Sequence, residues 1–176
     1  MRWRWALASQ IGTSHIRLGT RKQDALKAFT VDGEDGHEIL CAMVSDGAGS
    51  AQYGGEGASL TCRILSQAVR QHFSKTNLMP SAEEVWSWID AIRDRMQLAA
   101  ENRGVVRKSF ACTLVMLITR LDESIIVHIG DGAVVARNQT GEWKALTWPE
   151  NGEYASSTYF ITDDPEPRMR FTVGGE

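Results

Sequence analysis

The sequence predicts an α+β sandwich built on antiparallel strands, and three observations carry that expectation. Two helix-period apolar patterns follow one another, near residues 55–74 and 82–102. Strand-like runs flank the pair on both sides, separated by turn residues. No strand–helix–strand alternation recurs, so a parallel sheet is not expected. With 176 residues and 43% hydrophobic content, one ordinary core and a single domain over 1–176 follow.

The elements can be justified in order. Trp3 to Ser9 alternates in polarity and is expected to be a first strand. Its apolar stretch is too short for the core of a signal peptide. The polar "QIGTSHIRLGTRKQDA" reads as a loop. "LKAFTVD" and "HEILCAMVSD" then flank "GEDG", whose Asp-Gly chemistry suits a hairpin turn. From Ala58 the period changes, and Leu60, Ile64, Leu65, Ala68 and Val69 share one helical face reaching Phe73. Ser81 can cap a second helix, with Glu83 and Glu84 in the first turn, where the helix dipole favours anions. Val85, Ile89, Ile92, Met96 and Ala99 form its apolar stripe. The remainder reads as β: "SFACTLVMLITR", "ESIIVHIG", "AVVARN" and "EWKALTW", with "TYFITD" and "RMRFTV" as two further strands.

Charge and composition exclude several function classes. The net charge is −3 with both signs mixed along the chain, so no basic stripe points to nucleic acid or an anionic membrane surface. The apolar runs fall far short of a membrane span. Cys41, Cys62 and Cys112 lie in apolar runs with no C-x-x-C, which fits packed, reduced thiols in a cytoplasmic protein. His15, His37, His72 and His128 are scattered and form no H-x-x-x-H pair.

The informative stretch is "ILCAMVSDGAGSAQYGGEGASL", an apolar strand ending in Asp46 and a glycine-rich loop. A Walker loop is excluded because no Lys follows the glycines. The dinucleotide fingerprint fails at Gln52. A leading carboxylate would also repel a phosphate unless a cation lay between them. A hard divalent cation, Mg²⁺ or Mn²⁺, suits an Asp at a strand end with a glycine carbonyl beside it. On this stretch alone, a strand-terminating turn capped by Asp46 is the stronger reading. Two partners are available: Asp24 in "GTRKQDA" and Asp131 in "IVHIGDGAVVARN". Alone, Asp131 reads as a turn residue at a hairpin tip.

Gln-Asp-Ala, then Ser-Asp-Gly-x-Gly-Ser before a helix, then Gly-Asp-Gly, in this order, resemble the metal-dependent serine/threonine phosphatases of type 2C (the PPM family). "SHIRLG…QDA" is similar to its bacterial branch, and Ala-Cys-Thr in "SFACTLVMLI" stands where that family usually carries Gly-Thr-Thr. The resemblance implies a four-layer α/β/β/α sandwich with a two-metal site at one end of the sheets. Carried over, Asp46 would bridge two Mn²⁺ or Mg²⁺ ions and the Gly47 carbonyl would join one of them. Asp24 would hold metal-bound water, and Asp131 would belong to a third, weaker position.

Two departures stand out. The arginine that the family uses for the substrate phosphate falls at Gly19, leaving Arg17 and Arg21 on either side as candidates; either alone reads as a surface salt-bridging residue. The family's two later metal aspartates have no match either, since Asp163 and Asp164 in "TDDPEP" do not fit. The chain therefore reads as a phosphatase domain cut short, without its last strands, binding one ion weakly or none. The function implied is hydrolysis of phosphoserine or phosphothreonine on proteins by a water bridging two ions, opposing a kinase. The alternative is a non-catalytic module that binds a phosphoprotein or regulatory partner through the same face.

Overall fold

Alternate burial along two long strands sets the architecture. In Glu38–Asp46, the side chains of Ile39, Cys41, Met43 and Ser45 are buried toward one face, while Val44 and Asp46 are exposed on the other. In Leu114–Arg120, Leu114, Met116 and Ile118 repeat the pattern. This apolar face needs a cover, and two amphipathic helices supply it. The computed structural model describes residues 2–34, 36–121, 123–148 and 158–163, with the backbone of 170–174.

The elements are α1 (Thr13–Leu18), β1 (Asp24–Asp32), β2 (Glu38–Asp46), α2 (Gly54–Phe73) and α3 (Ala82–Glu101). A 3-10 turn at Arg107–Phe110 leads to β3 (Leu114–Arg120), β4 (Glu123–Ile129), β5 (Val134–Arg137), β6 (Trp143–Thr147) and β7 (Arg170–Gly174). A five-stranded sheet runs β1-β2-β3-β4-β7, with every neighbouring pair antiparallel, and β5 and β6 form a separate two-stranded ribbon. One core unites Leu65 and Val69 of α2, Ile89, Ile92 and Met96 of α3, and the buried strand face. The antiparallel α+β architecture is as the sequence predicts. Of the four expected layers, the described residues contain the helix pair, the main sheet and the ribbon.

Three local expectations are corrected. Trp3–Ser9 is no strand: among the described residues it has no ladder partner, and its polar groups turn to side chains and strand ends instead. Trp3 donates through its backbone to Glu38 Oε2 (2.8 Å) and through its indole to the Glu38 carbonyl (2.9 Å). The loop expected at 10–25 holds the short helix α1, closed by Gly19 in the left-handed region (φ 63°). "TYFITD" contributes a single bridge at Thr158 and then turns, because arginines take its carbonyls. "RMRFTV" does contain β7, and Asp164 lies outside the described residues.

Helix α3 starts where its cap dictates. Ser81 Oγ accepts from the Glu84 N–H (3.2 Å), and Glu84 Oε2 accepts from the Ser81 N–H (2.9 Å), a reciprocal capping box. Ser81→Ala should lower unfolding free energy by about 1 kcal/mol in urea, with an unchanged m-value.

Candidate active site

The register of β1 against β2 assembles the site. Asp24 faces Asp46 directly across the pair. The Gly47 N–H donates to the Gln23 carbonyl (3.2 Å), so this is a non-hydrogen-bonded position, where facing side chains approach most closely. The two carboxyls lie close enough for each to bear on the other's protonation. Asp46 is fixed further by Thr113, the residue before β3: its N–H donates to Thr113 Oγ1 (3.0 Å), and its carbonyl accepts from the Thr113 N–H (2.8 Å). Asp24 Oδ2 accepts from Ser9 Oγ (3.2 Å), which in turn accepts from Lys22 Nζ (2.8 Å).

Burial, with a second carboxyl beside it, disfavours the charged form of Asp46. The Asp46 carboxyl is pushed up from 3.8 to about 6. Loss of hydration leads, followed by the hydrogen bond and charge of Asp24 and then the charge of Asp131, while His15 opposes. The folded chain thus binds this proton more tightly than the unfolded chain does. The stabilising contribution is complete below about pH 4 and is lost as pH rises through about 6. Metal-free melting temperature should therefore decline over that window by more than in Asp46→Asn, as read by calorimetry.

Gly47 is required by packing. A Cβ there would collide with the Gly54 backbone carbon and stand 2.5 Å from the Gly55 nitrogen, at the start of α2. Among the described residues the Gly47 carbonyl accepts no hydrogen bond, so its acceptor capacity is unused. Two carboxylates plus this carbonyl make an oxygen-only donor set, which fits a hard divalent cation. It is a partial set: no group of three or more His, Cys, Asp or Glu among the described residues is arranged to hold a metal.

Asp131 comes to the same rim, but by a different route from the one expected. It is not at a hairpin tip, since β4 lies in the main sheet and β5 in the ribbon. The Gly130–Gly132 turn is the crossover between sheets. Gly130 takes φ 114°, and a Cβ there would stand 2.6 Å from Thr113 Cγ2. Arg17 on α1 and Arg21 on the following loop are both exposed, and neither makes an ion pair among the described residues. His15 Nδ1 pairs with Thr20 Oγ1 (2.9 Å), bracing the loop that enters β1.

The three thiols are buried and unbridged. Burial pushes Cys41 and Cys62 up to about 12 and raises Cys112 as well, so none is a thiolate nucleophile near neutral pH.

The family model described as protein phosphatase 2C matches residues 11–176. The chain belongs to this family. Serine/threonine-protein phosphatase 3 of Escherichia coli (strain K12) is 37% identical over 164 residues, or 93% of this chain and 64% of that protein. The chain thus spans just under two thirds of that relative's length. A crystal structure of a bacterial serine phosphatase matches with TM-score 0.64 at 16% identity, over 88% of this chain and 68% of that one. Serine/threonine phosphatase Stp1 from Staphylococcus aureus matches with TM-score 0.62 at 16% identity, over 88% and 66%. At such identities the likeness establishes the fold.

In the sequence of this phosphatase 2C family member the carboxylates stood out as strand-end and turn acids, and the family resemblance was what gave them a site role. Thr113 and Ser9 did not stand out, because they lie 67 and 15 positions from the carboxylates they touch, and Lys22, though close to Asp24 in sequence, acts through Ser9. Among the described residues no helix is long and apolar enough to cross a membrane.

Proposed function

We propose that these residues form part of a metal-dependent phosphatase site that hydrolyses phosphoserine or phosphothreonine on proteins, opposing a serine/threonine kinase in the cytoplasm. The carrying observation is the Asp24–Asp46 pair, held side by side at a strand end, with the Gly47 carbonyl accepting no hydrogen bond among the described residues. Asp46 and the Gly47 carbonyl would hold Mn²⁺ or Mg²⁺, and Asp131 would approach a further ion. When bound, such ions neutralise phosphoryl oxygens and acidify water. Asp24, steadied by Ser9, accepts a hydrogen bond from the attacking water and so aligns it with phosphorus. Arg17 and Arg21 bring positive charge toward the substrate phosphate. Hydrolysis then gives inorganic phosphate and a free seryl or threonyl hydroxyl. The name of the E. coli relative supports this reaction class.

The partial donor set favours a second reading, a phosphatase-like module that binds a phosphoprotein without turning it over. Calorimetric Mn²⁺ titration, run beside phosphate release from a phosphoserine peptide, separates the two. The 176 residues should take up at most one ion, with Kd on the order of 10⁻⁴ M or weaker, and release little phosphate. Phosphopeptide binding with no Mn²⁺ uptake supports the module. Tight binding of two ions with robust turnover would show that the site is built from other residues.

A further inference from the structure

The segment Thr158–Asp163 joins no strand named among the described residues, yet it touches three parts of the site. On one side its carbonyls meet two arginines. Arg93 Nε donates to the Ile161 carbonyl (2.7 Å), an Arg93 terminal nitrogen donates to the Asp163 carbonyl (2.8 Å), and Arg107 donates to the Thr162 carbonyl (3.2 Å). Arg93 projects from α3, is only 7% exposed and also pairs with Asp90 (3.5 Å). The planar guanidinium fork reaches two main-chain acceptors at once, which an ammonium cannot do with the same geometry. Asp163 Oδ2 closes the turn by accepting from the Phe160 N–H (3.0 Å).

On its other side the segment bears on the carboxylate machinery. The Phe160 ring packs on Ala48, Ala51 and Ala111, and the first two belong to the loop between Asp46 and α2. The Ile161 N–H donates to the Cys112 carbonyl (2.8 Å), and Cys112 is the bridge partner of Gly47. The Tyr159 carbonyl lies 3.3 Å from where a Cβ on Gly130 would stand, one residue before Asp131. One short segment therefore leans on the Asp46 loop, the Gly47 bridge and the Asp131 turn together.

We propose that residues 158–163 are a strap that fixes the Asp46–Ala51 loop, and that Arg93 is the positioning residue that seats it. Its bearing on catalysis rests on the phosphatase reading above. Arg93 contacts neither carboxylate of the pair in the geometry described; it acts through Phe160 and Ile161. The strap makes α3, the helix farther from the carboxylates in the chain, part of the mechanism that holds them.

Amide hydrogen exchange tests this on the 176-residue chain. Arg93→Gln and Phe160→Ala should each speed exchange at Ala48 and Ala51 by about tenfold or more, while Leu40 and Cys41 at the far end of β2 stay protected. Arg93→Lys keeps the charge but not the fork, and should loosen the same amides to a lesser degree. Combining Arg93→Gln with Phe160→Ala should add little to either change alone, since both cut the same connection. Val85→Ala, at the other end of α3, serves as a control for general loss of stability. The strap is refuted if Ala48 and Ala51 exchange unchanged, if all four amides speed up in parallel as in the Val85 control, or if the two changes are additive. If Arg93→Gln does not fold, Phe160→Ala and Arg93→Lys decide the matter by the same readout. Loosening at Ala48 and Ala51 sustains the strap whether or not the chain takes up Mn²⁺, and Mn²⁺ uptake bears on the phosphatase reading alone.

Discussion

Asp46→Ala should abolish Mn²⁺-dependent phosphate release, by a factor of about 10³ or more, equivalent to roughly 4 kcal/mol of transition-state stabilisation. The measurement belongs in a fusion of residues 1–176 to the part of the E. coli relative that this chain does not span. The size follows from the position of Asp46. It is paired with Asp24, braced by Thr113 and influenced by Asp131, so no neighbour can take over its place. Asp24→Asn should cost less, about 10- to 100-fold, because it removes an orienting charge and leaves Asp46 in position. The two changes together should fall well short of the product of their separate effects. Turnover within tenfold of the parent after Asp46→Ala would remove Asp46 from the site.

Gly47→Ala should be among the most damaging single-methyl additions in the described structure. The added carbon would meet the Gly54 and Gly55 backbone at the first turn of α2, and main chain cannot rotate aside as a side chain can. Relief requires either moving β2 or displacing the start of the helix. The strand is locked by ladders on both sides, so the helix start and the Asp46 loop must shift. A loss of about 3 kcal/mol or more is expected in urea unfolding, together with weaker Mn²⁺ uptake. Gly49→Ala, where an added Cβ meets nothing within 4 Å, should cost far less. Equal stability of the two variants would refute the close approach.

The helix pair was legible because periodicity and capping are local. The Ser81 cap and the apolar stripe of α3 could be read residue by residue, and α2 by the face it buries after its glycine-rich entry. Asp24 and Asp46 were readable as strand-end acids for the same reason. The failures were non-local. Trp3–Ser9 alternates as a strand would, but alternation cannot supply a partner, and the segment is held by Glu38 and Asp24 instead. "TYFITD" has strand composition, yet two arginines 55 to 70 positions away in sequence claim its carbonyls.

What the sequence by itself determined was the inventory: the antiparallel α+β class, two helices, strand-end carboxylates and the family motifs in order. These rest on short-range patterns and on residue chemistry, both of which are present before the chain folds. Only the tertiary structure decided which groups meet. It placed Asp24 opposite Asp46, carried Asp131 to them through a crossover between sheets, and tied the Thr158–Asp163 segment to α3. Register, crossover and strap all depend on contacts between distant residues, whose pairing is set by the packing of the whole core.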